Sequence, residues 1–366
     1  MNVCFNRKKF SEWFDLAASA TGQGKDAGPS AKVLMLTTGT QWLLQATNLE
    51  TSVVVDCSDA VVATQTTIGK VLLDPRRISA ILKESSGDEV TIKATGNSIV
   101  VSTAEGSYTL PESDPAEFPK VDAIDSQAVE IASTALLEAL TLVSFAVDDK
   151  STRYQLGGVL FEGSGDQVDL VATDGRRLST VSINVSEFDG SLSGIVSARP
   201  LSLLMRILSN DAGFCGVRVG LHAASFQAGN VTLATRLVEG RYPKWRSVIP
   251  SQDNCNEIGL NASAFAQAVK QAAIVADQES RGIVFDFKDG NCGISARTAE
   301  VGESAVNVPV VYTGSLKTTM DFRFVQEWFS RLPKGEAVEM FVRDAKSPAL
   351  FVWKMARYVI MPMGRD

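Results

Sequence analysis

The sequence predicts an α+β fold made of three similar domains, each with two helices packed on antiparallel sheets. Three observations lead there. Short alternating apolar stretches run the length of the chain, two amphipathic helical patterns recur in every third, and short strings repeat about 125 residues apart. A repeat of that length is a whole domain and not a solenoid unit.

Each third opens with an apolar strand that runs into a helix. The helical spacings are Phe10, Trp13, Phe14, Leu16 and Ala17; then Leu136, Leu137, Leu140 and Val143; then Phe265, Ala268, Val269 and Ala272. Strand-like stretches follow, such as "KVLMLTT", "EVTIKA", "SIVVST", "GVLFE", "VDLVAT", "VTLATRLV", "IVFDF" and "AVEMFV", separated by Gly, Asn and Asp. Asp174–Gly175 and Asp289–Gly290 read as tight turns, with glycine supplying the positive φ. A second helix comes in each third: "DPRRISAIL" from Asp74, "ARPLSLLMRIL" from Ala198 and "FRFVQEWFSRL" from Phe322, the last without the proline. "ATNLE" from Ala46, "ATDGR" from Ala172 and "SARTAE" from Ser295 repeat in the same way, and "EFPKV" with Pro119 answers "RYPKW" with Pro243. The domains are expected at 1–124, 125–253 and 254–366. Ser126–Gln127 and the polar run at 251–257 mark the joints.

At 366 residues the chain exceeds one comfortable core, which agrees with several domains. Its hydrophobic content of 45% and charged content of 21% are those of an ordinary soluble protein. No apolar run approaches the ~18 residues of a membrane span. The start, "MNVCFNRKKFSEWF", lacks a signal peptide's apolar region, so a cytoplasmic location is expected. The five cysteines (Cys4, Cys57, Cys215, Cys255 and Cys292) are scattered without a CxxC pair, which points to reduced thiols and away from a zinc site. The single histidine, His222, leaves little room for imidazole catalysis or His-based metal binding. Neither GxxxxGK[ST] nor GxGxxG occurs. No metal and no cofactor is expected. Two readings besides a binding protein stay open on residues alone: a carboxylate hydrolase on a repeated scaffold, and a structural or carbohydrate-binding β-repeat protein.

A net charge of −7 argues against a nucleic-acid binder on bulk charge, yet the placement of the cations argues otherwise. The second helix of each third carries them: Arg76, Arg77 and Lys83; Arg199 and Arg206; Arg323 and Arg331. Lys25, Lys150 and Arg153 add to these from loops. Acidic residues lie mainly in strands and loops. If the repeats surround an axis with these helices facing it, an acidic protein gains a basic inner surface for DNA phosphates, without sequence preference. A second constellation joins the turns of "VATDGRRLS" and "LVEGRYPKWRSVIP" to the apolar tail "YVIMPM", a candidate pocket for an extended peptide.

The strings "RYQLGGVLFE" (153–162), "VATDGRRL" (171–178), "LVEGRYP" (237–243) and "YVIMPM" (358–363), in that order within a threefold repeat, carry a resemblance. In them, and over essentially its whole length, the chain resembles the bacterial sliding clamps, the beta subunits of the DNA polymerase III holoenzyme. The resemblance implies a non-catalytic processivity factor. Two chains would associate head to tail, and six domains would close a ring around double-stranded DNA with helices inside and sheets outside. It puts the dimer joint at Tyr108 on one side and Ile274 and Val275 on the other, with Arg76 or Arg77 facing Glu300 or Glu303. It puts the partner pocket on Leu156, Thr173, Gly175, Arg176, Arg177, Leu178, Pro243, Val248, Val359, Met361, Pro362 and Met363. The DNA-facing cations would be Lys25, Arg76, Arg77, Lys83, Lys150, Arg153, Arg199 and Arg206. The implied partners are the polymerase III catalytic subunit, the clamp loader, other polymerases and repair proteins. Four features depart from the family pattern: Arg176 where His is common, Ser247 where Arg is common, the ending Gly364–Arg365–Asp366, and a glycine-rich loop at 19–30.

Overall fold

Strand-to-helix junctions turn the sequence pattern into structure. In the computed structural model, Asn6 accepts a hydrogen bond from the Lys9 amide (3.1 Å) and Asn261 one from the Ala264 amide (3.0 Å). Asp74 accepts from the Arg77 amide (3.0 Å), and Asp321 from the Arg323 amide (2.9 Å). Each side chain satisfies a helix N–H that has no intrahelical partner, so the extended chain stops and the helix starts at that residue. Pro75, at the first helical position, is already set to a helical φ. The structure describes every residue except Thr67, Asp122, Ala123, Asp125, Ser151, Gln278, Arg365 and Asp366, and describes no side chain for Lys25 or Asp26.

In chain order the elements are β1 (Asn2–Asn6), α1 (Arg7–Ala18), β2 (Val33–Thr37), β3 (Trp42–Thr47), β4 (Thr51–Asp56), β5 (Val61–Thr64), β6 (Gly69–Leu73), α2 (Pro75–Glu84), β7 (Glu89–Ala94), β8 (Ser98–Ser102) and β9 (Ser107–Pro111). Then come β10 (Val129–Ala132), α3 (Ser133–Val143), β11 (Gly158–Thr173), β12 (Arg177–Ser197), α4 (Ala198–Leu208), β13 (Phe214–Val219), β14 (Ala223–Ala228) and β15 (Val231–Arg236). The last are β16 (Asn256–Asn261), α5 (Ala262–Ala272), β17 (Gly282–Lys288), β18 (Asn291–Thr298), β19 (Gly302–Pro309), β20 (Ser315–Asp321), α6 (Phe322–Phe329), β21 (Ala337–Val342), β22 (Ala349–Trp353) and β23 (Ala356–Ile360). Short 3-10 turns connect several of them.

The chain divides into two compact units. One comprises Met1–Thr134 with Ser202–Leu237, the other Ala135–Leu201 with Val238–Asp366. The first unit holds a five-stranded sheet, β5-β1-β7-β8-β9, and an eight-stranded sheet, β10-β13-β14-β15-β4-β3-β2-β6. Phe10 of α1 stacks on Phe5 of β1 (centroids 4.2 Å apart), and Phe5 meets Trp42 of β3 edge-on at 5.7 Å. Rings from the helix and both sheets thus share one core.

The second unit holds a six-stranded sheet, β11-β12-β23-β22-β21-β16, and a four-stranded sheet, β19-β18-β17-β20. A run of rings joins them: Phe285 of β17 to Phe265 of α5 (5.7 Å), Phe265 to Phe329 of α6 (5.2 Å), and Phe329 to Phe351 of β22 (5.5 Å). The middle third of the sequence therefore supplies strands to both units. Its β15 pairs with β4, and its β12 pairs with β23.

The stretches "GVLFE" and "VDLVAT" prove to be one strand, β11, of 16 residues, hydrogen-bonded to the 21-residue β12. The ladder slips near Gly165, whose φ of 67° admits the bulge, so the long hairpin bends instead of breaking. Gly158, at the start of β11, is required for a different reason. A Cβ there would stand 2.5 Å from the Val196 carbonyl oxygen of the paired strand. Gly158→Ala is expected to destabilise the second unit by about 1–3 kcal/mol, read as a lower unfolding midpoint in denaturant. An unchanged midpoint would mean that β11 and β12 separate there at no cost.

Candidate functional site

The candidate pocket residues all belong to the second unit, and several of them form the turn between β11 and β12. Gly175, with φ of 85°, lets the chain reverse. Thr173 Oγ1 closes the turn, donating to the Arg177 carbonyl (2.6 Å) and accepting from the Gly175 amide (3.1 Å). Asp174 Oδ1 accepts from the amides of Arg176 and Arg177 at 2.9 and 3.0 Å.

Arg177 does not form a rim. It is 9% exposed, and each of its three guanidinium nitrogens donates a hydrogen bond within the protein. It donates to Asp174 Oδ2 (2.9 Å), to Glu327 of α6 and to the Phe145 carbonyl (3.0 Å). It also lies over the rings of Phe324 (4.4 Å) and Phe145 (5.1 Å). Burial works against its charge, but the Glu327 and Asp174 carboxylates outweigh that, and its pKa moves up. Tyr358, fully buried beside it, is pushed up by burial and stays neutral; its hydroxyl donates to the Phe324 carbonyl (3.0 Å). Glu327 and Phe145 are the residues that sequence reasoning missed. Nothing in a sequence marks a carboxylate and a ring from distant segments as partners of one arginine.

The tail continues the ladder. β23 pairs with β12 so that Leu178 faces Val359 and Arg177 faces Ile360. Beyond it the Met361 amide donates to the Arg176 carbonyl (2.9 Å), and the Met363 amide to the Thr319 carbonyl (2.8 Å). "MPM" is therefore pinned at both methionines. Leu178 and Val359 belong to a buried cluster with Leu160, Val171, Ile195, Trp245, Phe341 and Leu350. Leu156 is buried as well. Of the candidate residues, Gly175, Arg176, Pro243, Val248 and Met361 are exposed, and Pro362 and Met363 are half-buried. Trp245 caps the cluster, with its indole N–H donating to Glu162 (3.1 Å), so the "PKWRSV" segment is held over the sheet. Arg365 and Asp366 lie outside the described residues.

The other expected residues fall into two groups. Arg76, Arg77, Lys83, Lys150, Arg153, Arg199 and Arg206 are all exposed. The Lys25 side chain lies outside the described residues. The third repeat departs from the expected pattern of outward cations. Arg323 is half-buried and tied to Asp321 by two hydrogen bonds (3.2 and 2.7 Å), while Arg331 donates to the Glu327 carbonyl and lies over Phe145 (4.4 Å).

The expected joint residues stand beside sheet edges. Tyr108 is on β9, the last strand of the five-stranded sheet, and β19 is the last strand of the four-stranded one. Thr298 and Ser304 donate to the carbonyls of Val275 (2.7 Å) and Ala272 (2.8 Å), fixing the end of α5 against β18 and β19. There Ile274 is 76% exposed, with Glu300 and Glu303 exposed nearby in sequence.

Burial pushes the thiols of Cys57, Cys215 and Cys292 up to about 12, so they stay protonated and poor nucleophiles at neutral pH. Among the described residues, no group of three or more His, Cys, Asp or Glu side chains gathers to hold a metal. No described helix is long and apolar enough to cross a membrane.

Residues 130–244 match the family model for the DNA polymerase III beta subunit, central domain, and residues 246–364 that for its C-terminal domain. The chain is 27% identical to the beta sliding clamp of Escherichia coli strain K12 over 282 residues, 76% of each chain. It is 25% identical to that of Pseudomonas putida over 370 residues, covering 99% of this chain and all of the relative. Among solved structures, a sliding clamp from Pseudomonas aeruginosa bound to griselimycin superposes over the whole of both chains with a TM-score of 0.93 at 24% identity.

The Arg177 contacts generate a stability prediction. Arg177→Met keeps the volume but strands Asp174, the Phe145 carbonyl and the inner side of Glu327. Because Glu327 is 42% exposed and can turn to water, the expected cost is about 2–3 kcal/mol, less than for a wholly buried pair. Chemical denaturation followed by fluorescence reads it, and a loss below about 0.5 kcal/mol would show the guanidinium network to be dispensable.

Proposed function

Because the chain belongs to the family of DNA polymerase III beta subunits, the beta sliding clamps, we propose that it closes as a dimeric ring around double-stranded DNA and tethers replication and repair proteins through the pocket at the 174–177 turn. Members of this family are non-catalytic subunits of the polymerase holoenzyme, and this chain works in DNA replication as one of them. The observation that carries the tethering role is the seated tail: Met361 is hydrogen-bonded to Arg176 yet leaves its side chain 43% exposed over a fixed apolar floor. A thioether adapts to varied side chains, which suits a pocket shared by several partners.

The occupant is a short extended peptide with two apolar anchors, borne by the polymerase III catalytic subunit, the clamp loader, other polymerases or repair proteins. Burying two anchors yields roughly 3–6 kcal/mol at about 1.5–3 kcal/mol each. A micromolar complex needs about 8 kcal/mol. Partners therefore bind weakly enough to exchange.

The three proposed domains are 1–124, 125–253 and 254–366. In the ring the β9 edge of one chain meets the β19 edge of the other, with Tyr108 against Ile274 and Val275, and Arg76 or Arg77 against Glu300 or Glu303. Two exposed strand edges are unstable partners for water, and mutual pairing removes both. The exposed cations Arg76, Arg77, Lys83, Lys150, Arg153, Arg199 and Arg206, with Lys25, contact phosphate. The proposed compartment is the cytoplasm.

Topology tests the ring. Loaded onto nicked circular DNA by an ATP-driven loader, the protein should remain on the circle and leave once the DNA is cut to a linear form; equal retention on both forms would sink the proposal. Ile274→Asp places an unpaired charge in the joint and is expected to give monomers by light scattering that are not retained on the circle.

The pocket is tested separately. Met361→Ala combined with Met363→Ala should weaken a partner peptide by about tenfold or more in fluorescence polarisation while the dimer persists. Unaltered peptide affinity would remove these methionines from the site.

A further inference from the structure

Beside Trp245, one face of the six-stranded sheet sinks into a cleft of about 460 Å³, within the range of small-ligand sites. Asp169, Thr180 and Arg357 form its floor, from β11, β12 and β23; Trp245, Arg246 and Ile249 form a wall. The strand register sets Thr180 directly opposite Arg357, so the two side chains rise together from the same face. Thr180 is only 3% exposed, and its Oγ1 has no hydrogen-bond partner among the described residues. A buried hydroxyl left so is costly, and proteins rarely keep one without use.

The charges of the cleft are unevenly spent. Asp169 Oδ1 accepts from Ser182 (2.6 Å) and Gln167 (3.2 Å), and its Oδ2 from Arg246 (2.7 Å). Arg246 also bonds Glu162 and lies over the Trp245 ring at 4.2 Å. Asp169 and Arg246 thus satisfy each other. Arg357 is exposed and forms no ion pair among the described residues. Two donors remain: one planar guanidinium and one buried hydroxyl. A carboxylate fits both, because its two oxygens match the guanidinium fork and can also accept the Thr180 O–H. A dianionic phosphate fits less well, since Asp169 and Glu162 are near and a single cation is unspent. The partly buried Ile249 and Pro250 offer apolar surface to whatever carries the carboxylate, beside the edge of Trp245.

We propose that this cleft binds a carboxylate borne on an apolar or peptide body, with Arg357 and Thr180 holding the carboxylate and Ile249 and Pro250 its body, next to Trp245. The proposal goes beyond the pocket at the 174–177 turn and does not depend on it. The carboxylate can come from a free aromatic acid or from an Asp or Glu side chain of an extended peptide.

The full-length chain labelled with 5-fluorotryptophan gives one fluorine signal for each of its five tryptophans, and Trp245→Phe assigns the one in the cleft. The probes are hippurate, neutral hippuramide, the blocked peptide Ac-Ala-Glu-Ala-amide, its Gln counterpart, and inorganic phosphate. The Trp245 signal should shift saturably with hippurate, with the Glu peptide or with both, and whichever responds names the source. The neutral counterparts should not shift it. Arg357→Gln, at an exposed position that does not bear on folding, should weaken the response by about tenfold or more. Thr180→Val should also weaken it, without lowering the unfolding midpoint, because the hydroxyl has no partner in the protein to lose. Silence from both carboxylate probes, an equal response to a neutral amide or to phosphate, or a full response in Arg357→Gln would each overturn the proposal.

Discussion

The buried Arg177 guanidinium is the constraint on which the candidate site depends. Its neighbours come from four places in the second unit: the turn at Asp174, α6 through Glu327 and Phe324, the segment at Phe145, and β23 through Tyr358. An uncompensated buried charge costs several kcal/mol, so these elements are stable in one mutual arrangement and costly in others. The arginine thereby does for this region what a purely apolar core does less well: it fixes orientation as well as contact. The turn, the end of β23 and the first residue of the tail inherit that orientation through the Met361–Arg176 hydrogen bond.

From this follows a division between a rigid floor and a compliant lip. Leu178 and Val359 are packed in a buried cluster and cannot yield without disturbing the sheet. Met361 and Val248 are exposed at 43% and 44% and can yield. A site meant for one partner gains from rigidity throughout, whereas a site shared by several needs adaptable contacts over a pre-formed base. In the proposed pocket, methionine at the lip and a hydrogen-bonded strand beside it suit both demands.

How much of this was legible in the sequence varied with the physics involved. Alternation and helical spacing report burial directly, so the helices around Phe10 and Phe265 and the second helices from Asp74 and Phe322 lie where their apolar stripes put them. The turn at Asp174–Gly175 was equally plain, because positive φ demands glycine. The approach of the tail to that turn was anticipated from the family resemblance, with the apolar run alone offering only a candidate pocket. What the sequence hid were pairings between distant segments. Arg177, named as a pocket residue, is in addition a buried hub, and Arg323 and Arg331, read as outward cations, proved to be held by Asp321, by the Glu327 carbonyl and by Phe145. A cation on a helix looks the same in sequence whether its partner is water, phosphate or a carboxylate brought in by the fold. The long β11–β12 hairpin was broken into short strands for a related reason: its glycines read as ends, but the structure uses one as a bulge and another for close approach.

The cation pattern bears on how a ring of this family moves on DNA. A topological link keeps the protein on the duplex without strong contacts, and strong contacts would slow sliding. Each phosphate neutralised releases counterions and adds a salt-dependent term to binding, so a sparse lining is the mechanical requirement. Here α2 and α4 carry exposed arginines, while Arg323 on α6 and Arg331 just after it are held by the protein itself. The same guanidinium chemistry thus serves two ends in successive repeats. On α2 and α4 it remains available to a polyanion, and at the end of the third repeat it stabilises the second unit. An acidic chain can afford the second use because the first needs little charge: with sequence-independent contacts to a continuous helix of phosphates, neighbouring registers along the duplex are equivalent in energy, and few cations suffice to keep it centred.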